Sequence, residues 1–215
     1  MKFCGLVRPD DVRAAASLGA DAIGLVFYPK SSRLLDLDGA RAVRAAMPSW
    51  LISVGLFVNA QPDLVRSYSS QLGLDVVQLH GDETAEQCEN SHLPGQPYWR
   101  AVRMREKADL IHSWQTYQTA EYFVLDAFSP GYGGSGHRFD WSQVPAGRGQ
   151  DLIVSGGLDD STVGDAITAL HPVGVDVSTG IQGENPRIKD AARMEQFIAA
   201  VASADAANQN PEVQH

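Results

Sequence analysis

Leu18-Gly19-Ala20-Asp21-Ala22-Ile23, Leu72-Gly73-Leu74-Asp75-Val76-Val77 and Val173-Gly174-Val175-Asp176-Val177 repeat one local pattern. In each, helix-like sequence stops at a glycine, an Asp follows two residues later, and an apolar run begins. Glycine just past a helix end enters the left-handed conformation without a Cβ clash. Each copy therefore reads as a joint between a helix and the next strand. The glycines stand roughly 54 and 101 residues apart, gaps that hold about two and four units of some 26 residues, the size of a strand, a helix and two short loops. On that ruler the 215 residues make about eight units.

Working outward, short apolar runs bounded by turn residues stand at Lys2–Cys4, Ala22–Phe27, Leu51–Val58, Val76–Leu79, Tyr98–Val102, Tyr122–Leu125, Leu152–Val154 and Gly174–Val177. Continuous apolar strands indicate a sheet buried on both faces. Helix-like stretches alternate with them at Pro9–Leu18, Asp38–Ala46, Pro62–Gln71, Thr84–Ser91, Ala108–Gln115, Asp160–Leu170 and Asp190–Ala202, and the sixth unit offers only Trp141–Val144. Eightfold alternation predicts an α/β fold, a single (β/α)8 barrel over residues 1–202. An open doubly wound sheet is the alternative, but its glycine-rich fingerprint after the first strand is missing. From Ser203 to His215 the periodicity is lost, and a flexible tail is expected.

Composition narrows the function. A net charge of −9 argues against non-specific nucleic-acid binding, which relies on surplus Lys and Arg. No apolar run suits a signal peptide or a membrane span. Two cysteines, Cys4 and Cys88, make no disulfide framework and suggest a reducing compartment, hence a cytoplasmic protein. The six histidines show no metal-ligand spacing, so no metal is expected. No apolar stripe is evident for self-association, and a monomer is expected.

In such barrels the chemistry gathers at the carboxyl ends of the strands. Those ends deliver Cys4-Gly5, the Lys30-Ser31-Ser32-Arg33 turn, Asn59, His80-Gly81-Asp82, Arg103, Asp126, Ser155-Gly156-Gly157 and Ser178-Thr179-Gly180. Gly156, Gly157, Ser178 and Gly180 are small residues that let backbone N–H groups crowd around an anion, after the two strands that usually form the phosphate site. A phosphorylated small-molecule substrate follows. Cys4 is a candidate base, since a thiolate can take a carbon-bound proton if its pKa falls toward neutrality. Asp126 is a candidate acid, and either residue could instead be structural. Arg33 could fork onto a carboxylate or lie solvated. His80 reads on its own as a structural histidine, and Cys88, within a helix, as core. The Gly131–Gly136 loop beside Asp126 suggests a cover that excludes water.

Taken together, several motifs resemble the phosphoribosylanthranilate isomerases of tryptophan biosynthesis. They are Lys2-Phe3-Cys4-Gly5-Leu6, Gly24-Leu25-Val26-Phe27 with Lys30-Ser31-Ser32-Arg33, Val54-Gly55-Leu56-Phe57-Val58-Asn59, and Gln78-Leu79-His80-Gly81-Asp82-Glu83. Leu125-Asp126 with Gly131-Tyr132-Gly133-Gly134-Ser135-Gly136, Gly156-Gly157-Leu158, Val177-Ser178-Thr179-Gly180 and Lys189-Asp190 complete the set. The resemblance implies a cofactor-free Amadori rearrangement of N-(5-phosphoribosyl)anthranilate to 1-(2-carboxyphenylamino)-1-deoxyribulose 5-phosphate. It further implies Asp126 as general acid on the ring oxygen and Cys4 as base at C2. Arg33 would hold the anthranilate carboxylate, the backbone at Gly156, Gly157, Ser178 and Gly180 the phosphate, with His80 and Gly134 also among the substrate-binding residues. The chain departs from the family at Asp159-Asp160-Ser161-Thr162-Val163, where Pro-x-Asn-Val is usual. It departs again at Gln182, where an acidic residue is common, and at Arg187, where Gly is. A histidine-pathway isomerase of the same fold pairs two carboxylates, and Cys4 argues against it. The synthase of the next tryptophan step relies on lysine and glutamate, and only Lys30 among the core strand ends offers a lysine. A silent phosphate-binding protein would require neither Cys4 nor Asp126.

Overall fold

A computed structural model describes residues 1–128, 138–146 and 151–209. Eight parallel strands close into a barrel in sequence order: β1 (Lys2–Cys4), β2 (Ala22–Val26), β3 (Ile52–Phe57), β4 (Val76–Leu79), β5 (Tyr98–Met104), β6 (Tyr122–Ala127), β7 (Leu152–Val154) and β8 (Gly174–Val177). β8 pairs with β1 and leaves no open edge. The helices are α1 (Pro9–Leu18), α2 (Leu37–Ala45), α3 (Pro62–Leu72), α4 (Ala85–Glu89), α5 (Lys107–Thr116), α6 (Val163–Leu170) and α7 (Ala191–Gln209). Between β6 and β7 the described residues carry a short 3-10 turn, Trp141–Gln143, where the sequence offered only Trp141–Val144.

The glycine joints behave as read at two of three places. Gly19 (φ 94°) and Gly73 (φ 59°) are left-handed caps of α1 and α3. At the third, His171 (φ 45°) takes the left-handed position and Gly174 is already the first residue of β8. The Asp of the pattern shifts with it. Asp75 precedes β4 and accepts from Ser53 N (2.8 Å) and Oγ (2.6 Å), whereas Asp176 lies within β8 and turns into the barrel.

Strand alternation sorts the core into two layers. Phe3, Ile23, Leu25, Val77, Leu79 and Val177 point outward into the apolar layer shared with the helices. Ala22, Val54, Val76, Trp99, Val124 and Ile153 form a separate inner cluster. The last helix runs to Gln209, seven residues past the expected end at Ala202, because Ala204 is buried against α6, where a Cβ added at Gly164 would lie 3.9 Å from its own. Residues 210–215 of the expected tail lie outside the described residues. No described helix is long and apolar enough to cross a membrane.

Candidate active site

The inward phase that fills the barrel floor brings Lys2 and Cys4 of β1, Gln78 of β4 with His80 beyond it, Asp126 of β6, and Asp176 of β8 to the interior and its mouth. All six are buried. Cys4 ends β1 in register with Gly24. Burial pushes its thiol up, the Lys2 and Lys189 ammonium groups pull it down, and Asp176 opposes them. Burial wins. The fall toward neutrality considered from the sequence is therefore not met, because taking a thiolate out of water outweighs the nearby cations. Ser178 Oγ donates to Cys4 O at 3.0 Å, and Lys189 Nζ donates to Ser178 O at 2.7 Å. These contacts tie the end of β8 and the segment before α7 to the β1 terminus.

Asp126 stands three strands away around the ring, on β6. Its Oδ1 accepts from Ala127 N at 2.9 Å, and its Oδ2 lies 3.2 Å from His80 Nε2. Gln78 Nε2 lies 3.3 Å from His80 Nδ1. His80 thus bridges the Gln78 amide and the Asp126 carboxyl. Gly156 (φ 79°) is obligatory beside this group, since a Cβ there would meet Ala127 N at 2.5 Å and Asp126 Oδ1 at 2.9 Å.

Arg33 reaches the mouth from the loop after β2. Its stem lies across Gly5 (φ 73°), where a Cβ would come within 2.3 Å of Arg33 Cδ. Nη2 donates to Gln182 Oε1 at 2.5 Å, while the buried Nε has no partner among the described residues. Burial lowers its pKa, with Cys4 acting in the other direction. The side chain is a half-buried cation with an unused N–H, the preparation a carboxylate ligand needs. Arg187 Nη1 donates to Ser32 O (2.9 Å) and Leu34 O (3.2 Å), fixing the loop that carries Arg33.

The loops after β7 and β8 meet. Gly157 and Gly180 line one cleft with Leu158, Asp159 and Thr179, and Arg193 of α7 lines it too. Gly180 leaves no room for a side chain, since its Cβ would fall 2.1 Å from Leu158 O.

The chain matches the family model described as N-(5'-phosphoribosyl)anthranilate (PRA) isomerase over residues 1–200. It is 45% identical over 206 residues to the N-(5'-phosphoribosyl)anthranilate isomerase of Leptothrix cholodnii, covering 96% of this chain and 92% of that protein. The Pseudomonas putida enzyme of the same name is 45% identical over 204 residues, with 94% and 97% covered. The chain belongs to the phosphoribosylanthranilate isomerase family. The crystal structure of the Thermotoga maritima family member superposes with a TM-score of 0.86 at 35% identity, over 94% of this chain and 98% of that one. A family structure in complex with reduced 1-(o-carboxyphenylamino)-1-deoxyribulose 5-phosphate superposes at 0.79, with 30% identity, over 94% and 97%.

Within this isomerase fold, Cys4, Asp126, His80 and Arg33 converge on the carboxyl ends of the strands, while Gly157 and Gly180 form a separate cleft at the β7 and β8 ends. Gly156 turns toward Asp126, and the Ser178 hydroxyl is engaged by Cys4. Gly134 and the loop Ser129–Gly136 lie outside the described residues. Lys2, Asp176, Lys189, Gln78 and Gln182 were not read as site residues. Lys2 and Asp176 had a visible signal: a charge inside an apolar strand must find a partner when buried. Cys88 is core, its thiol pushed up to about 12 by burial.

Proposed function

We propose that Asp126 and Cys4 are the acid and base of the reaction after which the family is named. The chain is an isomerase of tryptophan biosynthesis acting on N-(5'-phosphoribosyl)anthranilate. Asp126 gives a proton to the furanose oxygen as the C1–O bond breaks, and the anthranilate nitrogen lone pair completes a Schiff base. The Cys4 thiolate then removes the proton on C2. The released electron pair forms the C1–C2 double bond of an enolamine and neutralises the nitrogen. Loss of the C2 hydroxyl proton with protonation of C1 gives the ketone. C2 is oxidised and C1 reduced within one molecule, so the atoms and electrons balance without an outside redox partner.

Each neighbour has a task. His80 Nε2 holds the Asp126 carboxyl in the mouth, Arg33 receives the anthranilate carboxylate, and the backbone at Gly156, Gly157, Ser178 and Gly180 receives the phosphate. The single observation that carries the reading is a buried thiol and a buried carboxyl inside one barrel mouth, with an under-partnered arginine at its rim. Cys4→Ser and Asp126→Asn are each expected to remove most turnover while a product analogue still binds. Full turnover in either overturns that residue's role.

We further infer a cytoplasmic monomer. Both cysteines are free, which suits a reducing compartment. The exposed Trp50, Leu64 and Phe128 sit on different segments. Sedimentation at twice the 23.2 kDa of the chain would contradict the monomer.

A further inference from the structure

Lys2 is 2% exposed, and its ammonium sits 3.0 Å from Asp176 Oδ2 inside the barrel. A stability role does not explain the pair. Buried ion pairs often do no better than apolar residues of similar volume, because desolvation consumes the attraction. Geometry suggests another purpose. Lys2 and Cys4 are two residues apart on β1 and share its inward face, and the strand beside them has no side chain at Gly24. A Cβ at Gly24 would lie 2.7 Å from Cys4 Sγ and 3.2 Å from Lys2 Cε. The thiol and the lysine stem thus converge over one bare glycine. An ammonium has three N–H bonds, and Asp176 engages one side of it. Among the described residues its remaining N–H bonds have no hydrogen-bond partner, and the lysine stem and the thiol flank the same glycine.

We propose that Lys2, held in place by Asp176, is a positioning residue that stabilises the Cys4 thiolate and thereby sets the basicity of the Cys4 side chain. This rests on the reading of Cys4 as the base. Four charged groups face that thiol: Lys2 on the same strand, Asp176 on β8, Lys189 before α7 and Arg33 from the β2 loop. Asp176 anchors the ammonium and aims it, at the cost of its own opposing charge. Gly24 is the space that makes the contact possible.

The test is the rate at which iodoacetamide alkylates Cys4 as a function of pH, read from the mass of the Cys4-bearing peptide, with Cys4→Ser as the blank. It needs no substrate, so it reports on Lys2 even if the isomerase reading fails, and turnover is assayed separately. Asp176→Asn removes the opposing charge and frees the ammonium, so the alkylation midpoint falls. Lys2→Met in that background leaves no buried charge stranded. The midpoint then rises by about one pH unit or more over Asp176→Asn, roughly a tenfold loss of thiolate at fixed pH. The acidic limb of kcat/KM moves with it, and Lys2→Arg, which keeps the charge, recovers most of the shift. Equal midpoints in the single and double variants overturn the proposal. If the double variant does not fold, an unchanged midpoint in Asp176→Asn overturns it instead.

Discussion

Arg33 shows how a single side chain is readied for a ligand. Its Nε is buried without a partner among the described residues, and its stem fits only because Gly5 has no side chain. Hydrogen bonds to a charged partner contribute about 1.5–3 kcal/mol, so Arg33→Met is expected to raise KM roughly ten- to a hundredfold and change kcat much less. Steady-state kinetics check this, and an unchanged KM contradicts the carboxylate clamp. Gly24 carries a different prediction. A methyl group there meets the Cys4 sulfur at 2.7 Å and Cys4 Cα at 3.1 Å, so Gly24→Ala displaces the thiol and lowers kcat, while over-packing costs about 1–3 kcal/mol of stability. Wild-type kcat in a folded Gly24→Ala protein contradicts the assigned thiol position. At this scale the sequence marked Cys4, Asp126 and Arg33 through their places at strand ends. It did not mark Gln78 or Gln182, because a glutamine carries no charge whose burial demands a partner.

Among the elements, the segment joining β8 to α7 carries an electrostatic load. Burial, with Arg33 nearby, holds the Lys189 ammonium down to about 7 from 10.5. Between those values the unfolded chain binds the extra proton and the folded chain does not, so this residue's contribution to stability rises with pH across the window. The stability gap between wild type and Lys189→Met, from urea unfolding at about pH 7 and about pH 9, shifts in favour of wild type at the higher value. A gap independent of pH contradicts the buried-ammonium reading. The last helix makes a second case. Ala204 packs on α6 although the sequence after Ala202 shows no apolar period. A chain ending at Ala202 is expected to lose about 1 kcal/mol or more and to melt at a lower temperature. Alanine-rich sequence with few large apolar side chains hides its buried face from a periodicity argument, which is why this boundary was not legible. The joints at Gly19 and Gly73 were legible because only a left-handed cap ends a helix so sharply. The Gly174 joint was misplaced because a histidine took the cap.

For the whole molecule, closure matters most. Glu83 accepts from Asn59 N (2.7 Å), Gly81 N (2.8 Å) and Arg100 Nη1 (2.9 Å), joining the segments after β3 and β4 to Arg100 within β5. Removing one partner strands a buried charge, so Glu83→Ala is expected to cost about 3–5 kcal/mol in denaturant unfolding. A loss below about 1 kcal/mol, the range of exposed pairs, contradicts this clasp. The barrel itself was legible from the spacing of joints and from strands too apolar for a one-sided sheet. The charges inside it were not, since pairing across β1 and β8 follows from closure rather than from local sequence. Closure also explains how a chain of net charge −9 can hold an anionic ligand: Arg33, after β2, and Lys189, bonded to Ser178 after β8, stand at the carboxyl ends of the strands. The most direct measurement generates the aminoaldose in situ from anthranilate and phosphoribosyl pyrophosphate with the preceding transferase, then follows the loss of its fluorescence. The purified chain is expected to accelerate that loss and Cys4→Ser is not; no acceleration by the wild-type chain would contradict the isomerase account.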